Sequence, residues 1–311
     1  MGSSGVPQGK RLGLDIGIDT VTAVVLDGGA LAAAEAASIE PGNSVIAAAV
    51  SSAKRLVDAS GQFASAGVAV PALVDRAGRN VQYSGHIAEL SGVDLASAIG
   101  EAAGCAALIE NDANAAGYAE FLMGAGRGCG EMFYATLGTG VGGCIILDGE
   151  IRRGVGGFAG EFGYVPVDLE GTRLEDVASS RNIIRRTRER FHRDATSSLV
   201  DIREDELTIA DIVEAARKGD DLARLMLERT GNYVGIGVAA VINLIDIERI
   251  VVGGEILEAG EPILHGITDR ARQLAFGPAF EGTAIVQGEL GKNAAAIGAA
   301  LLSASLGGSG E

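Results

Sequence analysis

Tryptophan is absent from this chain, only three cysteines and three histidines occur, and aromatic residues make up 4% of it. Cys105, Cys129 and Cys144 are an odd number with no CxxC spacing, which argues against a disulfide framework or a zinc knuckle and fits a reducing cytoplasm. Long apolar runs are missing too. The longest, Tyr233 to Ile245, is too short to span a bilayer and runs into Asp246, Glu248 and Arg249. The opening MGSSGVPQGK is polar and has no signal-peptide apolar region. No GxxxxGK[ST] occurs, so a P-loop is excluded. Basic residues are few, 25 against 41 acidic ones, and a formal charge of -16 repels nucleic acid and anionic lipid. A small-molecule partner is expected, with neither nucleic acid nor membrane.

What is present is a chain of 311 residues, 47% hydrophobic, long enough for one large domain or two moderate ones. One basic run interrupts the acidity: Arg181, Arg185, Arg186, Arg188, Arg190 and Arg193 in RNIIRRTRERFHR, which reads as a solvated or subunit-contact helix face. Leu12 to Asp27 alternates β-branched residues around Gly17 and Asp19, which predicts a strand, a glycine turn and a second strand. From Glu131, EMFYATLGTGVGGCIILDGEIRRG repeats that design, with a further turn at Asp148-Gly149. Helical spacing is read over Ser44 to Ala59, from Asp112 onward, over Leu174 to Arg190, over Leu207 to Leu244, and in the Ala-rich stretch Lys292 to Ser305. Gly67 to Pro71, Ala106 to Ile109 and Arg249 to Val252 read as buried strands. This mixture predicts an α/β protein of two lobes with a cleft near Asp112.

Two motif matches fail on context. Gly138, Gly140 and Gly143 satisfy GxGxxG, but CIILDGEI after them is strand-like, whereas a dinucleotide site needs a helix there. His192-Arg193-Asp194 mimics a protein-kinase catalytic loop, yet Leu199 stands where the metal-binding Asn belongs. A hairpin tip carrying Thr136, Gly138, Thr139 and Gly140 survives, since backbone N–H groups and hydroxyls there suit a phosphate. The other tip carries Asp15 and Gly17. An acid beside a phosphate cradle suits a direct or water-mediated magnesium ligand.

Taken together these segments resemble the ROK family of sugar kinases and repressors, within the actin-like ATPase superfamily. LGLDIGIDT is similar to its first phosphate motif, ATLGTGVGGCIILDGEI to the second, IVVGGEILEAG to the adenosine motif, ENDANAAGYAE to the catalytic segment and GEFGY to the sugar-contact segment. The resemblance implies a two-lobed RNase H-like α/β fold: a lobe over 10–117 completed by a C-terminal helix over 293–308, and a larger lobe over 118–292. It also implies ATP and Mg2+, phosphorylation of a hexose hydroxyl, and a homodimer or homotetramer. Asp15, Gly17, Thr20, Thr136, Gly138, Thr139, Gly140, Gly253 and Gly254 are then the nucleotide residues, with Asp15 on magnesium. Asn111, Glu161 and Glu175 are the sugar residues, with Tyr164, which could offer one hydrogen bond or simply pack, and His86 as further candidates. Asp112 is the expected base: a sugar hydroxyl is a poor nucleophile, and a carboxylate within reach must take its proton as the new bond forms. Asp112 also opens a helix, so capping is its second reading.

The chain departs from the family pattern at three places. Tyr164 stands where many members have a zinc-binding His, and Val165 to Glu175 holds no cysteine, so no structural zinc is expected. Asp19 and Ile18 alter the first hairpin, placing a negative charge near the phosphates. Tyr83-Ser84-Gly85-His86 replaces a proline-asparagine sugar loop, leaving His86 either facing substrate or in solvent. These departures keep two rivals open, a non-catalytic sugar sensor and a kinase with another phosphoryl donor such as polyphosphate. Only about ten residues precede the first hairpin, so direct DNA binding is not expected.

Overall fold

The alternation around Gly17 folds as read: β1 (Lys10–Ile16) and β2 (Thr20–Asp27) pair antiparallel, with Lys10 opposite Asp27 and Ile16 opposite Val21. The computed structural model describes residues 9–75, 77–191 and 196–307. The kinase-loop mimic His192-Arg193-Asp194 lies outside the described residues, as do residues 1–8 of the opening polar segment. Two units emerge: the first holds the chain up to Met123 with Arg153–Ala159 and the segment from Lys292 on, and the second holds Gly124–Arg152 and Gly160–Gly291.

In the first unit β3 (Ala30–Ser38) pairs with β2, and the parallel strands β4 (Ser65–Val70) and β7 (Ala107–Asn111) follow β1, giving the order β3-β2-β1-β4-β7. A small ribbon of β5 (Leu73–Val74) and β6 (Val81–Tyr83) lies between β4 and β7 in sequence. Side chains alternate across a strand. Leu12, Leu14, Ile16, Val68 and Val70 therefore join one core with Ala49, Ala53 and Leu56 of helix Val45–Ser60 and Ile99 of helix Leu95–Ala103. Gly13, Gly67 and Ala69 occupy the alternate positions. Helix Ala294–Leu302 packs there against helix Asp112–Met123, so closely that a Cβ on Gly13 or Gly67 would overlap the carbonyl of Ala296 or Ala299.

The second unit repeats the plan. β8 (Met132–Leu137), β9 (Val141–Leu147) and β10 (Glu150–Ile151) form the antiparallel part, and β11 (Arg249–Gly253) and β12 (Ala284–Gln287) run parallel to β8, in the order β10-β9-β8-β11-β12. Its core joins Phe133, Ala135 and Leu137 to Val234, Val238 and Ile242 of helix Asp221–Ile245.

Two helical readings need correction. Leu207 to Leu244 is not continuous: helix Ile209–Arg217 stops, Gly219 turns at φ +95, and Asp220 caps the next helix by accepting from Ala223 N at 2.9 Å. The apolar spacing runs through this break, but Gly-Asp is both a stop and a cap. Leu174 to Arg190 is likewise interrupted at Ser179, whose extended backbone separates Glu175–Ala178 from Ser180–Phe191. Among the described residues no helix is long and apolar enough to cross a membrane.

Candidate active site

The carboxyl ends of β1 and β7 carry the acidic part of the site in the first unit, where open α/β sheets commonly bind ligands. Asp15 is the penultimate residue of β1, level with Ala69 of β4, and Asn111 ends β7 beside Val70. Asp112 begins the helix that follows. Burial, and then the neighbouring Asp112 charge, push the Asp15 carboxyl up to about 7. Asp15 and Asp112, chosen for different roles, therefore share one electrostatic environment.

Capping falls to a different residue from the one read. Asn111 Oδ1 accepts from Asn114 N at 3.1 Å, which is the N-cap bond, while Asp112 Oδ1 accepts from the adjacent Ala113 N at 2.8 Å. Asn111 also donates from Nδ2 to Ala72 O at 3.4 Å. Under this pair sits Glu110, 7% exposed, which sequence reasoning passed over. Its Oε1 accepts from Asn111 N at 2.9 Å and from Asn114 Nδ2 at 3.1 Å, and its Oε2 accepts from Arg153 Nε at 3.1 Å. The buried charge is thus paired and bonded on both oxygens, as burial requires. Gly17 lies at the β1–β2 tip with its N–H donating to Thr20 O at 2.8 Å, and Thr20 Oγ1 donates to Asp19 Oδ1 at 3.1 Å. Asp19 is exposed, Ile18 is half exposed, and His86 sits in solvent on the loop after β6.

In the second unit Thr136 pairs with Gly253 across β8 and β11, so the predicted nucleotide residues Thr136, Gly138, Thr139, Gly140, Gly253 and Gly254 converge at the carboxyl ends of parallel strands. One detail differs from the expected cradle: Gly138 N donates to Gly140 O at 3.0 Å, so that N–H is already used. Gly138 O accepts from Ser180 N at 2.8 Å, and Ser180 Oγ donates to Glu255 Oε1 at 2.6 Å. Ser180 and Glu255 were missed. They are far apart in sequence and gave no local spacing to read.

The predicted sugar loop is anchored by Phe162, which is buried and edge-on to Phe133 at 5.1 Å between ring centroids. Its glycines answer to a strand. A Cβ on Gly163 would overlap the carbonyl of Val141 and lie 3.3 Å from the Cβ of Glu175, and one on Gly160 would overlap the carbonyl of Gly143. Gly160 also has φ +99. Close packing of the loop on β9 brings Glu161 and Glu175 together. Partial burial, and then the Glu175 charge, raise the Glu161 carboxyl above its ordinary value, although its side chain reaches solvent. Glu175 Oε2 accepts from Val141 N at 2.9 Å. Tyr164 is 60% exposed and lies under the Arg173 guanidinium, 4.4 Å from the ring centroid.

Comparison with known proteins gives a consistent result. The profile of the ROK family matches residues 11–305. A glucokinase of Halalkalibacterium halodurans is 34% identical over 202 residues, which is 61% of this chain and 61% of that protein. A xylose repressor of Bacillus spizizenii is 26% identical over 240 residues, 75% of this chain and 59% of the repressor. The chain thus spans about three fifths of the length of these two relatives. Among solved structures, a ROK family glucokinase from Streptomyces griseus in complex with glucose and AMPPNP aligns with a TM-score of 0.85 at 29% identity, covering 96% of this chain and 100% of that one.

Proposed function

This chain belongs to the ROK family, with the α/β fold of the actin-like ATPases, and on that premise we propose that it phosphorylates a sugar hydroxyl with ATP and magnesium. The observation that carries the reading is Asp112 beside Asp15 at the strand ends of the first unit. Support comes from the similarity to a glucokinase structure holding glucose and a nucleotide analogue.

Asp112 is the base. Its carboxylate accepts the proton of the attacking hydroxyl as the oxygen–phosphorus bond forms and the bond to the leaving ADP breaks, an effect worth about 10² to 10⁴ in rate. Asn111 donates and accepts through its amide, and Glu161 and Glu175 accept from hydroxyls that fix the ring. Each charge-assisted bond contributes about 1.5 to 3 kcal/mol. His86 and Tyr164 are secondary: both are exposed, and Tyr164 already faces Arg173.

Asp15 fits a magnesium ligand. A carboxyl raised by burial, and then by the Asp112 charge, gains from a nearby cation, and magnesium commonly takes one or two protein carboxylates with phosphate and water for the rest. Among the described residues no group of three or more acids, histidines or cysteines gathers to hold a metal. The ion would neutralise charge on the phosphates.

A second reading has its own observation. Asp19 at one hairpin tip and Glu255 against the other place negative charge beside the proposed phosphate residues, and a xylose repressor is among the relatives. A sensor that binds sugar and nucleotide without transfer would show that pattern, and a polyphosphate-using kinase is a third form. Coupled assay of ADP release over a panel of hexoses, with donors compared, separates the three.

A further inference from the structure

Part of the arginine run read as a solvated or subunit-contact face lines a cavity in the fold. Arg186 and Arg190 stand four apart on helix Ser180–Phe191, and Arg229 and Tyr233 stand four apart on helix Asp221–Ile245, so each pair shares one face. Between the helices lies a cavity of about 280 Å³ lined by Arg186, Arg190, Arg229, Asn232 and Tyr233. Among the described residues no carboxylate lines it. Glu189, the one acid of helix Ser180–Phe191, is engaged instead with Arg185 at 2.9 Å and lines a separate cavity.

Like charges do not gather without cause. Burial, and then the charges of Arg190, Arg185 and Arg229, pull the Arg186 guanidinium down to about 10, against an opposing pull from Tyr233. Arg186 is held in place by bonds from Nη2 to Val177 O at 2.8 Å and to Thr230 Oγ1 at 2.5 Å, and its buried Nε has no hydrogen-bond partner among the described residues. Its guanidinium carbon lies 5.8 Å from the Tyr233 ring centroid. A fixed, crowded and incompletely bonded guanidinium with two further arginines at its cavity is a built anion site. A cavity of this size accommodates a small molecule.

We propose that Arg186, Arg190 and Arg229 bind a small phosphorylated compound, with Asn232 and Tyr233 meeting its uncharged part. Arginine suits phosphate because its planar fork donates two parallel hydrogen bonds. None of the proposed sugar or nucleotide residues lines this cavity, so the site is an effector site rather than part of the reaction. Its connections fit that role. Val177, which accepts from Arg186, is two residues beyond Glu175, and the same helix begins at Ser180, whose N–H is bonded to Gly138 O.

Binding is measured directly, so the outcome does not depend on whether the chain is a kinase. Pyrophosphate and, separately, glucose 6-phosphate are titrated calorimetrically into the wild type, Arg229→Gln, Arg190→Gln and the control Arg203→Gln. Arg229 is exposed, so its replacement leaves the bonds of Arg186 in place. At least one probe should bind the wild type and Arg203→Gln alike and bind each of the other two variants at least about ten-fold more weakly, the worth of one charge-assisted hydrogen bond. Which probe binds more tightly distinguishes inorganic from sugar-borne phosphate. Failure of both probes, or equal affinity in Arg229→Gln and wild type, overturns the proposal. So does a short single-stranded oligonucleotide that binds through these arginines when neither probe does.

Discussion

Glu110 and Arg153 form an ion pair across 43 residues of sequence, and the Glu110 carboxylate also accepts from the backbone of Asn111, directly before Asp112. The proposed base therefore rests on a buried acid whose cation arrives from the segment after β10. Arg153→Ala leaves Glu110 buried without its partner. Because Arg153 is 41% exposed, the cost belongs below the range for a fully buried pair, about 1–3 kcal/mol. Denaturant unfolding should show that loss, with kcat falling more than the sugar KM rises.

The raised carboxyl of Asp15 makes stability depend on pH in a definite direction. Its folded value of about 7 lies above the ordinary value of 3.8, so the folded state holds the proton more tightly and loses stability as pH rises between those values. Asp15→Asn should flatten that part of the profile and raise Tm at pH 8 by a few degrees in the ligand-free protein. The same change should weaken magnesium-dependent nucleotide binding, which in the wild type tightens as pH rises through about 7.

Gly163 is a tight point of the proposed sugar loop. Gly163→Ala forces a Cβ into the Val141 carbonyl and against Glu175, so the loop or β9 must shift, costing about 1–3 kcal/mol. Calorimetric unfolding measures the loss. A higher sugar KM should accompany it, because Glu175 is bonded to the same stretch of β9.

Burial, and then the Glu175 charge, raise the Glu161 carboxyl. Removing the Glu175 charge with Glu175→Gln should lower the Glu161 titration midpoint toward its ordinary value, read by NMR of a side-chain-labelled sample. An unchanged midpoint would mean that burial alone sets it.

Much of the fold was legible and the reason is local. Both glycine hairpins announced themselves by β-branched alternation around a turn, and Asp112 by an apolar helix directly after a short strand. Ala30–Ser38 carried no such signal: an alanine-rich run has weak strand preference and becomes β3 by pairing with β2 along its length. The candidate site divides the same way. Residues inside contiguous motifs could be proposed from the sequence, whereas Glu110–Arg153 and Ser180–Glu255 join distant segments through side chains, which no periodicity records. The Asn111 cap was hidden for a subtler reason, since Asn and Asp are both good caps and stand side by side.

The central claim is that Asp112 takes the proton of a sugar hydroxyl during phosphoryl transfer from ATP. ADP release is followed over a panel of hexoses for wild type and Asp112→Asn, with thermal stabilisation by sugar and nucleotide confirming that both proteins still bind. The expected result is turnover of at least one sugar by the wild type and a rate about 10² to 10⁴ lower in Asp112→Asn, with binding retained. Equal turnover by the two proteins, or tight binding of both ligands by the wild type without any transfer, would contradict it.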